Sequence, residues 1–266
     1  MKAMVLAAGL GTRLSPLTDD RPKALVEVGG RTMLALTLER LKRFGVREAI
    51  VNTHHYAEMI EGYLLANGHF GMRVEISRED ELLETGGGLK KAGWFFLEGD
   101  AQDEGAEGDV PQARGDHGGP LEPFLVHNVD VLSAIDLGAM VRAHRESCAL
   151  ATLAVQVRGA SRYLLFDAEG QLLGRIKGED GEPDWAGSGR EAIALAFCGI
   201  HVISPRIFAE MKQEGAFSII EAYLDLARKG ERVMAFRADG APWRDLGRPE
   251  SVTKAAEEIA AGMYGD

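Results

Sequence analysis

Residues 2–7 form a short, largely apolar run that stops abruptly at small residues, Ala7-Ala8-Gly9-Leu10-Gly11. A run of that length without polar alternation suits a strand covered on both faces, as in a parallel sheet. The small residues after it let backbone N–H groups approach an anion without interference from Cβ atoms. Downstream, strand and helix alternate. Residues 32–44 carry Met33, Leu34, Leu36, Leu38, Leu41 and Phe44 on one helical stripe, with Gly45 as a stop. Residues 49–52 read as a second strand, 56–66 as a helix ended by Asn67-Gly68, 72–76 as a third strand, 86–96 as a helix after a glycine-rich start, and 124–128 as a further buried strand. Such alternation implies right-handed βαβ crossovers and a mostly parallel, Rossmann-like sheet whose ligand crevice lies at the carboxyl ends of the strands.

Past a helix at 136–145 the pattern changes. Residues 149–155, 163–166, 172–176 and 192–203 read as strands, with Asp167-Ala168-Glu169-Gly170 as a hairpin turn, so an antiparallel extension of the sheet is expected. Helices are expected at 205–211, 219–229 and 249–261. With 266 residues, 45% of them hydrophobic and 27% charged, the chain can bury a substantial core, and it is read as one α/β domain spanning 1–266. One stretch interrupts it: residues 98–122 are rich in Gly, Asp, Glu and Pro, with eight acidic side chains against Arg114 alone, and read as a solvated surface insertion.

Composition removes several function classes. A net charge of −11 is the wrong sign for replacing phosphate counterions along a nucleic acid, which leaves room only for a locally basic site. Cys148 and Cys198, fifty residues apart and without CxxC spacing, suggest neither a disulfide framework nor a zinc site, and a reducing cytoplasm fits. The apolar run at the N-terminus is too short for a signal segment, and no stretch reaches the roughly 18 apolar residues of a membrane span.

The richest segment is Gly9-Leu10-Gly11-Thr12-Arg13-Leu14-Ser15-Pro16-Leu17-Thr18, followed by Arg21-Pro22-Lys23-Ala24-Leu25. The Walker A pattern is excluded, since no GxxxxGK followed by Ser or Thr occurs, and so is the dinucleotide fingerprint, because Leu14 stands where a third small residue is needed. Arg13 offers a fork of donors to phosphate oxygens and Lys23 a compact positive charge. A polyphosphate fits this loop.

In these residues the chain resembles the sugar-1-phosphate nucleotidylyltransferases, whose signature has the form GxGTRLxPLTxxxPKxL. The resemblance implies the nucleotide-diphospho-sugar transferase type of fold. It also implies a phosphate loop at Ala8, Gly9, Gly11, Thr12 and Arg13, an invariant lysine at Lys23, and a second glycine loop beside the nucleobase at Glu84-Thr85-Gly86-Gly87-Gly88. His127-Asn128-Val129-Asp130 is similar to the family's NxD segment and Trp243-Arg244-Asp245-Leu246-Gly247 to its WxDxG segment, so Asp130 and Asp245 would hold Mg2+. The partners implied are a nucleoside triphosphate and a sugar 1-phosphate, with pyrophosphate as the released product. Lys23 would stabilise the α-phosphate and Arg13 the departing β and γ groups. The Glu-Thr-Gly-Gly-Gly segment and the short length look most like the N-acetylmuramate 1-phosphate uridylyltransferases; mannose 1-phosphate guanylyltransferases and noncatalytic nucleotide-sugar sensors are the alternatives. Oligomeric state is left open.

Other conspicuous residues have plainer readings. His54 and His55 follow a strand and read as a strand-to-helix turn, and Trp94, Phe95 and Phe96 as core packing. Lys177 and Glu191 read as solvated strand-edge charges, although either is placed to reach a sugar phosphate.

Overall fold

A strand that is apolar on both faces has to be covered on both, and two sets of helices do so here. The computed structural model describes residues 1–98, 122–178, 181–187 and 191–265; nearly all of the acidic insertion, from 99 to 121, lies outside the described residues. In chain order the elements are β1 (Lys2–Leu6), the hairpin strands β2 (Glu27–Val28) and β3 (Arg31–Thr32), α1 (Met33–Arg43), β4 (Glu48–Thr53), α2 (Ala57–Ala66), β5 (Arg73–Arg78), α3 (Glu84–Lys91), α4 (Gly93–Leu97), β6 (Phe124–Asn128) and β7 (Val131–Ser133). Then come α5 (Leu137–Ser147), β8 (Ala151–Gln156), β9 (Arg162–Phe166), β10 (Leu172–Lys177), β11 (Asp184–Trp185), β12 (Ile193–Ile203), α6 (Ile207–Glu210), α7 (Ile219–Arg228), β13 (Val233–Arg237), β14 (Trp243–Asp245) and α8 (Pro249–Ala260).

The parallel core runs β6-β1-β4-β5. β12 joins it antiparallel to β6, β8 pairs with β12, and β13 lies parallel to β8. The expected architecture, a mostly parallel core with an antiparallel extension, is therefore present. Strand periodicity divides the core in two. Ala3 and Val5 of β1 pack with Leu34, Leu38 and Leu41 of α1 on one face, while Met4 and Leu6 pack with Leu89 of α3, Phe95 of α4 and Tyr223 of α7 on the other.

Helix starts follow side-chain caps. The Thr32 hydroxyl accepts from the Ala35 N–H at 3.1 Å, and Asp136 accepts from the Ala139 N–H at 2.9 Å, so Asp136 caps α5. The helix expected at 86–96 is instead two helices broken at Ala92, and it starts early enough to take in the whole glycine segment. The short strands β2, β3, β7, β11 and β14, and the longer β13, are additions to the strands that the sequence pattern predicts.

β12 turns a corner. Residues 193–195 pair with β9, whereas 200–203 pair with β6, and the β8 register slips between Phe197 and His201. Gly199 sits inside the slip with φ of 73°, a left-handed conformation that glycine adopts without strain. A Cβ there would meet the Asn128 amide at 2.9 Å. The bend carries β9 and β10 away from the parallel core and leaves a cavity in the angle.

Candidate active site

The loop after β1 is built around one lysine. Gly11 adopts φ of 69°, and its carbonyl accepts from the Leu14 N–H at 2.8 Å and the Thr18 hydroxyl at 3.0 Å. A Cβ on Gly11 would lie 2.9 Å from Lys23 Cβ, and one on Gly9 would lie 3.1 Å from Lys23 Nζ. The two glycines thus let the lysine pass beneath the loop. Lys23 Nζ ends 3.0 Å from Asp130 Oδ2 with both side chains largely buried. Burial is the largest influence on Asp130 and pushes its carboxyl up; the charge and hydrogen bond of Lys23, with Arg13 nearby, outweigh it and leave the pKa below the ordinary value. The carboxylate is ionised at neutral pH.

Asp245 reaches the same place through the short ladder between β14 and β7, in which it pairs with Val131. The Leu246 N–H donates to the Asp130 carbonyl at 2.8 Å, and Asp245 Oδ1 accepts from the Gly247 N–H at 2.6 Å. Arg13 stands beside it: a Cβ on Gly247 would lie 2.7 Å from Asp245 Oδ1 and 2.9 Å from an Arg13 guanidinium nitrogen. Asn128 Oδ1, between the two carboxylate segments, is buried with no hydrogen-bond partner among the described residues.

The second glycine segment is helical. Its glycines accommodate two neighbours: Cβ atoms would meet the chain entering α7, the Phe217 ring at 2.3 Å from Gly86 and the Gly215 carbonyl oxygen at 2.2 Å from Gly87, and, after β5, Glu79 Oε1 at 2.6 Å from Gly88. The Gly86 and Gly87 N–H groups both donate to the Phe217 carbonyl, so neither is free for a ligand in this conformation. Glu84 and Thr85 do face a cavity, and Glu84 is held at φ of 57°, a strained value for a residue with a side chain. Gly87→Ala is expected to destabilise the fold by about 1–3 kcal/mol, read as a lower urea midpoint. Gly62→Ala, inside α2 with nothing within 4 Å, is the control and should hold or raise it.

Two cavities meet here. The smaller, of about 310 Å³, is lined by Ala8, Gly9, Lys23, Asn52, Glu84 and Thr85 among others; the larger, of about 500 Å³, lies in the bend of β12 and takes in Arg13, Asp245 and Trp243. Asn128, Asp130 and Ser218 line both. Of the residues singled out in the sequence, Gly11, Thr12, Gly86 and Gly87 line neither, and Arg13 belongs to the larger cavity. Lys177 lines the larger as well, and Glu191 lines neither. Phe95 and Phe96 are core residues, whereas Trp94, expected with them, is exposed on the outer side of α4, and His54 bonds the Glu79 carbonyl at 2.8 Å in its turn.

Asn52 and Glu79 escaped the sequence reading. Asn52 Oδ1 accepts from the Ala7 N–H at 2.7 Å and its amide donates to Glu79 Oε1 at 2.7 Å, while Glu79 Oε2 accepts from the Leu83 N–H at 3.0 Å. This relay fixes the end of β1 to the start of α3, hence one wall of the smaller cavity to the other. The single sequence signal was a polar residue, Asn52, inside an otherwise apolar strand.

Comparison with known proteins agrees with this geometry. The profile of the nucleotidyl transferase family matches residues 2–262. An N-acetylmuramate alpha-1-phosphate uridylyltransferase of Caulobacter vibrioides is 34% identical over 263 residues, which are 97% of this chain and 96% of that protein. A mannose-1-phosphate guanyltransferase beta-B of Xenopus laevis is 28% identical over 254 residues, covering 94% of this chain and 62% of the relative. HddC from Yersinia pseudotuberculosis, solved in complex with GMP-PN, has the same fold with a TM-score of 0.71 at 22% identity, over 97% of this chain and 99% of that one. UDP-glucose pyrophosphorylase from Acinetobacter baumanii gives 0.71 at 19% identity, over 96% and 91%. The chain belongs to the nucleotidyl transferase family, and it is a nucleotidyltransferase of the EC 2.7.7 type.

Proposed function

We propose that this enzyme, acting as a single domain in the cytoplasm, transfers a uridylyl group from UTP to N-acetylmuramate 1-phosphate and releases pyrophosphate. The observation that carries the bisubstrate reading is the pair of cavities meeting at Asp130, one walled by the glycine loop and Lys23, the other open to a sugar-sized ligand. The choice of base and sugar is supported by the 34% identity to the Caulobacter uridylyltransferase.

The nucleotide occupies the smaller cavity with its phosphates towards Lys23, and the acceptor occupies the larger. An acceptor phosphate oxygen attacks the α-phosphorus in line as the bond to the bridging oxygen breaks, so pyrophosphate leaves with the electron pair and no covalent enzyme intermediate forms. The protein positions the groups and neutralises charge. Lys23 holds the α-phosphate, Arg13 counters the charge of phosphate groups reaching its side, and Glu84 and Thr85 border the nucleoside end.

The donor set suits magnesium. Asp130, Asp245 and the orphaned Asn128 Oδ1 are hard oxygen donors, and among the described residues no group of three or more His, Cys, Asp or Glu gathers into a closed site. A hard octahedral cation that keeps waters and takes up substrate phosphate oxygens matches so open an arrangement. When bound, Mg2+ screens phosphate charge and polarises the reacting phosphoryl group.

The test is pyrophosphate release from UTP, GTP, CTP, ATP and dTTP against N-acetylmuramate, mannose, glucose and N-acetylglucosamine 1-phosphates, with and without magnesium. Magnesium-dependent release from UTP with N-acetylmuramate 1-phosphate is expected; GTP with mannose 1-phosphate as the productive pair would reassign both substrates, and silence throughout would sink the proposal. Asp130→Asn is expected to cut the rate by about 10²–10³-fold and raise the magnesium concentration for half-maximal rate. An unchanged magnesium titration would remove Asp130 from the metal site.

A further inference from the structure

The larger cavity carries more positive charge than one acceptor phosphate uses. Five cationic side chains, of Arg13, Arg158, Arg162, Arg175 and Lys177, line it against the two carboxylates of Asp130 and Asp245. Arg175 is already neutralised: its Nε donates to Asp184 at 3.0 Å, and a further guanidinium nitrogen lies 3.9 Å from Glu221. Arg13 stands with Asp245 at the phosphate end. The other three cations remain.

Arg162 and Lys177 are direct partners in the β9–β10 ladder, so their side chains leave the same face side by side. Like charges placed directly opposite one another destabilise a sheet. No carboxylate among the described residues pairs with either. Arg158 is fixed differently: its guanidinium lies 3.7 Å over the Trp243 ring and donates to the Phe197 carbonyl at 2.7 Å, while its Nε is buried without a partner. Held in this way, the planar fork loses little freedom on meeting a carboxylate. A neutral sugar would bring no counter-charge to Arg162 and Lys177, and the single phosphate belongs at the opposite end, beside Asp130.

We propose that Arg158, Arg162 and Lys177 recognise a second anionic group on the acceptor, a carboxylate carried by the sugar in addition to its 1-phosphate. This rests on the larger cavity being the acceptor site, and it defines the substrate class as acidic sugar 1-phosphates.

The experiment compares N-acetylmuramate 1-phosphate with N-acetylglucosamine 1-phosphate, which lacks the carboxylate-bearing ether, by calorimetric titration of the wild type and the Arg162→Gln/Lys177→Gln variant. The wild type is expected to prefer the carboxylated ligand at least tenfold, and the double variant to lose about tenfold or more of that preference. Both positions are exposed, so the variant should fold; if it does not, Lys177→Gln alone should show a smaller loss of the same preference. Equal wild-type affinity for the two ligands, binding of neither, or weakening of both by one factor in the variant overturns the assignment. Binding is read without turnover, which separates the two proposals. Selective binding without pyrophosphate release defeats the proposed reaction and keeps the carboxylate site, whereas transfer to neutral sugars alone defeats the carboxylate site and keeps the reaction class.

Discussion

Lys23→Ala is expected to lower turnover by about 10²–10³-fold while the protein stays folded. The lysine is the cation that the glycine loop is built to admit, and its ammonium lies 3.0 Å from Asp130 Oδ2 at the junction of the two cavities. Removing it deletes the charge proposed to face the phosphates and strips Asp130 of its principal partner. Leaving that buried carboxylate without its partner costs about 3–5 kcal/mol, which a fold inside the usual range of roughly 5–15 kcal/mol survives unless it lies at the bottom of that range. Burial, no longer opposed by Lys23, would then raise the Asp130 pKa, so the acid limb of the residual rate should move to higher pH. Steady-state pyrophosphate release across pH, with a thermal melt as the folding control, reads both effects. Lys23→Arg should rescue poorly, because Nζ already lies 3.1 Å from where a Cβ on Gly9 would be and a planar fork does not fit beneath the loop. Turnover within a few-fold of wild type in Lys23→Ala would exclude the lysine from the reaction.

The second large effect is on stability in mild acid. His127, His144 and His201 are buried, and burial is the first cause that pulls them down, to about 3, about 4 and about 3. Their rings are satisfied as neutral groups. His127 Nδ1 faces the Asn128 carbonyl at 2.8 Å and must carry the proton, which leaves Nε2 to accept from Arg40 at 3.0 Å. His201 Nδ1 lies 2.7 Å from the Tyr223 hydroxyl, and His144 Nδ1 lies 2.9 Å from Thr152 Oγ1. In the unfolded chain all three take protons near pH 6.5; in the folded chain they do not until pH 3 or 4. Their contribution is therefore complete above the unfolded value and is lost as pH falls below it. At pH 5 the loss is about 2 kcal/mol for each histidine, or about 6 kcal/mol together. Tm is expected to fall by about 10–20 °C between pH 7.5 and pH 5, where carboxylates with lowered pKa values are still ionised. A flat Tm over that range would mean that the histidines titrate normally in the native state.

The strand that opens the chain, the glycine loop and Lys23 were legible because their signals are local: an apolar run, small residues, and a lysine at a fixed spacing. Asp130 and Asp245 were legible only through family resemblance, since neither position announces a ligand without the other. What joins them, the β7–β14 ladder, is three residues long and far too short to show a period. β13 was missed because its parallel partner, β8, lies far away in the chain. The glycine segment at 86–88 reads both as the start of a helix at 86–96 and, through the resemblance, as a loop, and three successive glycines weaken a helix by local propensity. The helix forms regardless, because the backbone near Phe217 has to come that close. The Arg162 and Lys177 pairing needed the β9–β10 register, without which Lys177 read as a solvated charge.

The contact between α3 and the turn before α7 also constrains how such a chain can change. A methyl gained at position 87 cannot be accepted until the turn carrying Gly215 has withdrawn, and a turn that withdraws first breaks the bonds from Gly86, Gly87 and Ile219 that hold it. Either step alone costs stability, although the two stretches are far apart in the chain. The joint between the parallel half and the antiparallel half is therefore expected to drift as a unit.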